Sequence, residues 1–100
     1  EELGEKANET DYCNRANAYI ETGKLDEAIA DCRKAVQLNP KFAKAYYRHS
    51  KALAYKNKLG AALDVLKQCL AKDKTNEEIQ GQIAQIEAEI QLDNAVPKDD

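Results

Sequence analysis

Two adjacent stretches decide the fold: ETDYCNRANAYIETGKLDEAIADCRKAVQLNPKF, residues 9–42, and AKAYYRHSKALAYKNKLGAALDVLKQCLAKDKTN, residues 43–76. Laid one on the other they keep register over 34 residues. Tyr12 meets Tyr46, Lys24–Leu25 meets Lys58–Leu59, Ala28 meets Ala62, and Ala35 meets Cys69. Ile29 pairs with Leu63 and Val36 with Leu70, apolar for apolar. A period of this length belongs to helix–turn–helix solenoids, whose units bury their apolar faces only against their neighbours. Such arrays bind other proteins, so chemistry is the less expected use of this chain.

Working outward, the apolar and small residues Tyr12, Ala16 and Tyr19 recur at i+4 and i+3, on one stripe of a first helix from about Glu2 to Thr22, stopped by Gly23 at its C′ position. A second helix, about Leu25–Leu38, turns Leu25, Ala28, Ile29, Cys32, Ala35 and Val36 inward. Asn39–Pro40 breaks it, with Asn39 expected to cap the next helix and Pro40 to take its first position. The third helix is expected over Lys41–Lys56 and the fourth over Leu59–Ala71. Thr75, with Glu78 three residues on, predicts a capping box for a fifth helix over Asn76–Leu92. Ile79, Ile83, Ile86 and Ile90 form a narrow seam there at 4-3-4 spacing, suited to closing the last repeat against water. Residues 93–100 are expected to be a frayed polar tail.

One hundred residues allow one domain with a modest core. Because the chain starts at Glu1 without a Met, it is expected to be a domain excised from a longer protein. A net charge of -3 and a pI near 5.2 argue against a nucleic-acid partner, which needs a basic face. No apolar run reaches the roughly 18 residues of a membrane span, so no membrane partner is expected. Cys13, Cys32 and Cys69 show no CxxC spacing, so neither a disulfide framework nor a metal site is indicated. Cys32 and Cys69 fit as small buried hydrophobes in a reducing, cytoplasmic setting, whereas Cys13 is expected to be the more exposed thiol.

His49 is the single histidine and stands beside Arg48, with no structured Asp to complete a hydrolytic triad. Four glycines form no phosphate loop, and the acidic residues scatter over helix exteriors. No catalytic residue and no cofactor follow from the sequence, and the chain is expected not to be an enzyme.

Read together, these residues resemble the tetratricopeptide repeat (TPR), with its W-x2-L-G-x2-Y, A-x3-F and Pro positions. The first unit offers Tyr12, Arg15, Ala16 and Tyr19, then Ala28, Cys32 and Pro40. The second offers Tyr46, His49, Ser50 and Leu53, then Ala62 and Leu66, with Lys74 where Pro belongs. Small residues at 16, 28, 50 and 62 are what close helix crossings require. The resemblance implies an all-α, right-handed superhelical array over 1–92. Its parts are repeats 9–42 and 43–76, a C-terminal capping helix 76–92, and 1–8 as the remnant of a preceding repeat helix.

Asn14-Arg15-Ala16 and Lys44-x3-Arg48 also resemble the carboxylate-clamp subclass found in co-chaperones. That subclass grips the C-terminal carboxylates of the seventy- and ninety-kilodalton heat-shock chaperones. Asn14 and Arg48 stand one repeat apart, and Lys44 and Arg48 share a helix face at i and i+4. The residue types fit: an Asn amide donates without adding charge, and Lys and Arg make charge-assisted hydrogen bonds worth roughly 1.5–3 kcal/mol each. Asn17, Tyr47, Lys51 and Tyr55 are expected to complete the groove wall.

The sequence departs from the subclass at its start. A further Lys and Asn normally come from a preceding repeat. Asn8 can supply the Asn, but Gly4 stands where the Lys belongs, and the second helix of that repeat is missing. The resemblance therefore implies a partial clamp binding acidic chaperone tails at about micromolar affinity or weaker. The alternative is an assembly or scaffold module that forms a homodimer, or docks a helical partner, through an uncovered apolar face of its N-terminal helix.

Overall fold

The computed structural model describes Gly4 and residues 6–95, with side chains through Leu92. The helices are α1 (Glu9–Glu21), α2 (Leu25–Leu38), α3 (Ala43–Tyr55), α4 (Leu59–Lys72) and α5 (Glu77–Ala95), and no strand occurs among the described residues. Each helix packs on the next, and α1 also touches α3, as α3 touches α5. The helices α2 and α4 do not touch. Hence α1, α3 and α5 line the tighter, inner side of the array, with α2 and α4 splayed outside. The extents of 55 × 32 × 15 Å, and a radius of gyration of 14.6 Å against about 13 Å for a compact domain of this size, fit such a slab.

The repeat is visible in the turns. Gly23 (φ 82°) and Asn57 (φ 64°), one period apart, both take the left-handed conformation. At the first turn the N–H of Lys24 donates to Tyr19 O at 2.8 Å and that of Gly23 to Ile20 O at 3.1 Å. At the second, Lys58 donates to Leu53 O at 2.9 Å and Asn57 to Ala54 O at 2.9 Å. These are two copies of the Schellman motif, which satisfies the last carbonyls of a helix.

Four sequence expectations for helix ends and caps fail by more than one residue or in the capping group. The helix α1 starts at Glu9, not near Glu2, because Asn8 closes a capping box: its Oδ1 accepts from Asp11 N at 2.9 Å while Asp11 Oδ2 accepts from Asn8 N at 3.0 Å. Before it, Ala7 N donates to Gly4 O at 3.0 Å in a turn, so these residues do not continue a helix; residues 1–3 and 5 lie outside the described residues. The helix α3 starts at Ala43, because Asn39 closes the end of α2 and its Oδ1 accepts from Lys41 N at 3.2 Å. Pro40 consequently precedes α3, where its carbonyl accepts the Tyr46 hydroxyl at 2.8 Å.

The cap of α5 is Asn76, not Thr75: Asn76 Oδ1 accepts from Ile79 N at 3.1 Å, and the Thr75 hydroxyl turns back to Asp73 at 3.1 Å. Finally, α5 continues to Ala95, past the expected end at Leu92; residues 96–100 are outside the described residues.

The core follows the repeat as well. Ala16, Ala28 and Ala62 have no exposed surface and Ser50 is 2% exposed, so the small residues do sit at the helix crossings. The largest cluster joins Tyr46, Val65, Leu66 and Cys69 to Ile79, Ile83 and Ile86, with Ile90 packed against it. The isoleucine seam of α5 is thus core and covers the second repeat. No helix among the described residues is long and apolar enough to cross a membrane.

Candidate functional site

Arg48 of α3 reaches across the inner face and donates Nη1–H to Asn17 Oδ1 of α1. One turn earlier on α3, Lys44 stands exposed. Asn14, at the α1 position equivalent to Arg48, is also exposed. Neither Lys44 nor Arg48 forms an ion pair among the described residues. The Arg48 Nε–H is buried without a partner, a cost of about 1–3 kcal/mol that the fold carries at this point.

Beneath them lies Cys13, 2% exposed among Ala35 and Ala45, so the expectation of an exposed thiol fails: α3 covers that face of α1. Burial pushes the Cys13 thiol up, and the nearby guanidinium of Arg48 and the charge of Lys44 offset only part of the shift. Cys32, deeper still, is pushed up to about 12 by burial, with Cys13 and Asp31 adding to it. All three cysteines are free and buried. A raised thiol pKa leaves little thiolate, so none is a reactive nucleophile.

Toward α5, a cavity of about 170 Å³ is lined by Lys44, Tyr47 and Arg48 on one side and Glu78 and Ile79 on the other. A second, about 200 Å³, shares Tyr47 and continues along α3 past Lys51. The structure therefore brings Asn17, Lys44, Tyr47, Arg48 and Lys51 onto one inner face, while Asn14 is exposed one turn before Asn17 on α1. Asn8 stands apart as the cap of α1, its amide oxygen already committed to Asp11. Tyr55 is 61% exposed and lines neither cavity. The α5 wall was absent from the sequence reading. Its signal was the polar spacing Glu78, Gln82, Gln85 and Glu89, which follows the isoleucine seam around the helix.

A larger cavity, about 580 Å³, lies elsewhere, between α2 and α4 over the outer side of α3. Arg33, His49 and Asp64 line it, so its charges are mixed and do not converge on one ligand type. At the N-terminal edge, Arg15 holds Asp31 with two hydrogen bonds, Nε to Oδ2 at 2.7 Å and Nη2 to Oδ1 at 2.8 Å. The rings of Tyr12 and Tyr19 flank its guanidinium at 5.9 and 5.6 Å. This surface is ion-paired and aromatic, unlike the apolar face expected there. The large apolar residues most exposed among those described are Leu38, Tyr55 and Leu92, and none lies on α1. No group of three His, Cys, Asp or Glu side chains able to hold a metal occurs among the described residues.

Comparison with known proteins gives this geometry a family. The tetratricopeptide-repeat model matches residues 11–42. The Hsp70/Hsp90 co-chaperone CNS1 of Saccharomyces cerevisiae is 47% identical over 55 residues, which are 55% of this chain and 14% of that protein. The mitochondrial import receptor subunit TOM70 of Rattus norvegicus is 41% identical over 70 residues, 69% of this chain and 12% of that protein. The chain thus spans a small fraction of the curated relatives it matches. The solved structure of the yeast Hsp90 co-chaperone Cns1 superposes with a TM-score of 0.80 at 35% identity, over 87% of this chain and 28% of that one. The second TPR domain of human RPAP3, solved in complex with the HSP70 peptide SGPTIEEVD, gives a TM-score of 0.69 at 30% identity, over 81% of this chain and 68% of that domain. With the repeat, the paired Schellman turns and these likenesses in agreement, the chain belongs to the tetratricopeptide-repeat family.

Proposed function

We propose that this domain is the chaperone-binding module of a co-chaperone-like protein, an interaction module rather than an enzyme. It takes the acidic C-terminal tail of a seventy- or ninety-kilodalton heat-shock chaperone, as an extended peptide, on its inner face. The observation that carries the reading is the hydrogen bond from Arg48 to Asn17 where α1 and α3 touch, with Lys44 one turn away on α3 and both cations lacking a carboxylate partner among the described residues. A terminal carboxylate supplies what they lack. Lys44 and Arg48 give charge-assisted hydrogen bonds and Asn14 a neutral donor, while Asn17 holds Arg48 in place. The peptide named in the solved RPAP3 complex ends in EEVD, the chemistry such a site calls for. Buried free thiols fit a reducing location such as the cytoplasm.

The test is a calorimetric titration with an acidic peptide ending in a free carboxylate, alongside the same peptide amidated at its C-terminus. Affinity of about micromolar or weaker is expected for the free acid, with loss on amidation and on Lys44→Glu/Arg48→Glu. Binding that ignores both changes overturns the clamp. Because the anchors are charges on an open face, the affinity should also fall as salt rises.

A further inference from the structure

The repeat calls for a third helix crossing, and among the described residues that crossing is open. Ala16 of α1, Ser50 of α3 and Ala84 of α5 stand one 34-residue period apart, each a small residue. Ala16 is buried in a cluster with Ala28 and Ile29 of α2, and Ser50 is buried where α4 packs, with Ala62 equally closed to solvent. Ala84 is exposed, and so is Ala88 one turn on. The helix α5 touches α3 and α4 and no other described helix. Its Gln82, Gln85 and Glu89 face α3. On the opposite side of the isoleucine seam, Ala84, Glu87, Ala88, Ile90 and Gln91 line a groove of about 470 Å³ with Leu63 of α4.

Shape and charge both describe an occupant. From Ala84 to Gln91 the groove runs about 11 Å along α5, or about two helical turns, and its alanines let a second helix come close. Glu87 is the charged residue lining it, and the five charged residues of α5, Glu77, Glu78, Glu87, Glu89 and Asp93, are all acidic. A helix with a basic edge is attracted there and one with an acidic edge is repelled. A second copy of this chain offers no such helix among its described residues. Its exposed large apolar side chains, Leu38, Tyr55 and Leu92, stand singly on three different helices and form no seam. We propose that the α4–α5 groove docks a basic amphipathic helix of a partner protein, laid where the repeat sets its outer helices. The partner's apolar seam meets Leu63, Ala84, Ala88 and Ile90, and its Lys or Arg edge meets Glu87. Because this side of α5 is turned away from α3, the helix and an acidic tail on the inner face can be held together.

The experiment titrates the isotope-labelled full chain with a helical peptide of about four turns, its Leu and Ala seam flanked by Lys, and follows the backbone amide shifts. Two contrasting peptides accompany it, one with every Lys changed to Glu and one with the Lys kept and the seam Leu changed to Ser. The first peptide should bind at least about tenfold tighter than either. Its shifts should centre on Leu63, Ala84 and Ala88 and spare Asn17 and Arg48. Ala88→Gln puts a good helix former at an exposed position, so the fold is kept while the groove is filled, and affinity should fall at least about tenfold. Gln85→Ala, on the side facing α3, should leave affinity unchanged. Glu87→Lys should remove the preference for the Lys peptide over the Glu peptide. Absence of binding, equal binding of the Ser-seam peptide, or binding that survives Ala88→Gln overturns the groove. A concentration-dependent dimer that Ala88→Gln dissolves assigns the groove to a second copy and overturns the partner helix. All these outcomes leave the clamp standing, since tail binding is read with a different peptide, and failure of the clamp leaves the groove standing in turn.

Discussion

Arg15 and His49 occupy the same position of successive repeats and meet opposite environments. Arg15 of α1 holds Asp31 of α2 and is flanked by two tyrosines. His49 lies half-buried between α2 and α4, and burial, then the nearby Arg33 charge, lowers its pKa. The sign of the consequence follows from proton uptake. On acidification the unfolded chain protonates its histidine first, near the ordinary value, while folded His49 still resists. Stability contributed by neutral His49 is therefore present above the ordinary histidine pKa and is lost as pH falls toward the lowered one. Thermal melts of the wild type and His49→Gln between about pH 7.5 and 5.5 should show a smaller acid-induced drop in the variant. Equal drops would remove His49 as a source of pH sensitivity. At this scale the sequence showed the chemistry better than the contacts. Lys44 and Arg48 were legible from one i, i+4 pair. That Arg48 would reach past Asn14 to Asn17 was not, because repeat spacing aligns Cα atoms and says nothing about where a long side chain ends. Cys13 was misplaced for a related reason: α1 is covered on two sides, by α2 and by α3, and only one of those faces shows as a simple stripe.

Among the elements, helix bodies were legible and helix ends were not. The stretch Leu25–Leu38 came out to the residue because both its flanks carry turn chemistry and its apolar face is broad. The ends at Asn39, Thr75 and Asn8 were misread because Asn and Thr serve turns as readily as caps: Asn39 closes α2 through its backbone N–H, Thr75 turns back to Asp73, and Asn8 and Asn76 open helices with their amide oxygens. The choice belongs to the three-dimensional turn. The left-handed residue is the better signal, since it leaves a residue type few alternatives. Gly23, at φ 82°, has nothing within 4 Å of where a Cβ would stand. Gly23→Ala should therefore destabilise through backbone conformation alone, by about 1 kcal/mol. Urea denaturation measures this, and an unchanged midpoint would mean that the turn relaxes. Asn57→Gly, at the equivalent turn, should be close to neutral, because Asn already tolerates that conformation.

Across the whole molecule, packing passes only between neighbours, with α1–α3 and α3–α5 as the longest-reaching contacts. Stability in such an array is a sum of unit and interface contributions, so damage at one end need not be felt equally at the other. The helix α5 is the sensitive element: it is the last helix among the described residues, and it holds the second repeat through Ile79, Ile83 and Ile86 against Leu66, Val65 and Cys69. Ile79 is 1% exposed, and Ile79→Ala should cost roughly 2–5 kcal/mol at that interface. Because two cavities lie between α3 and α5, loosening α5 should also open them while leaving Asn17 and Arg48 engaged. Native-state hydrogen exchange separates these effects. In Ile79→Ala the amides of α5 and α4 should exchange much faster, with those of α1 and α2 changed least, since α1 and α2 make no contact with α5. A uniform loss of protection across all five helices would mean that the two repeats unfold as one cooperative unit. In that case the C-terminal helix is a determinant of the entire domain, not a lid on its last repeat.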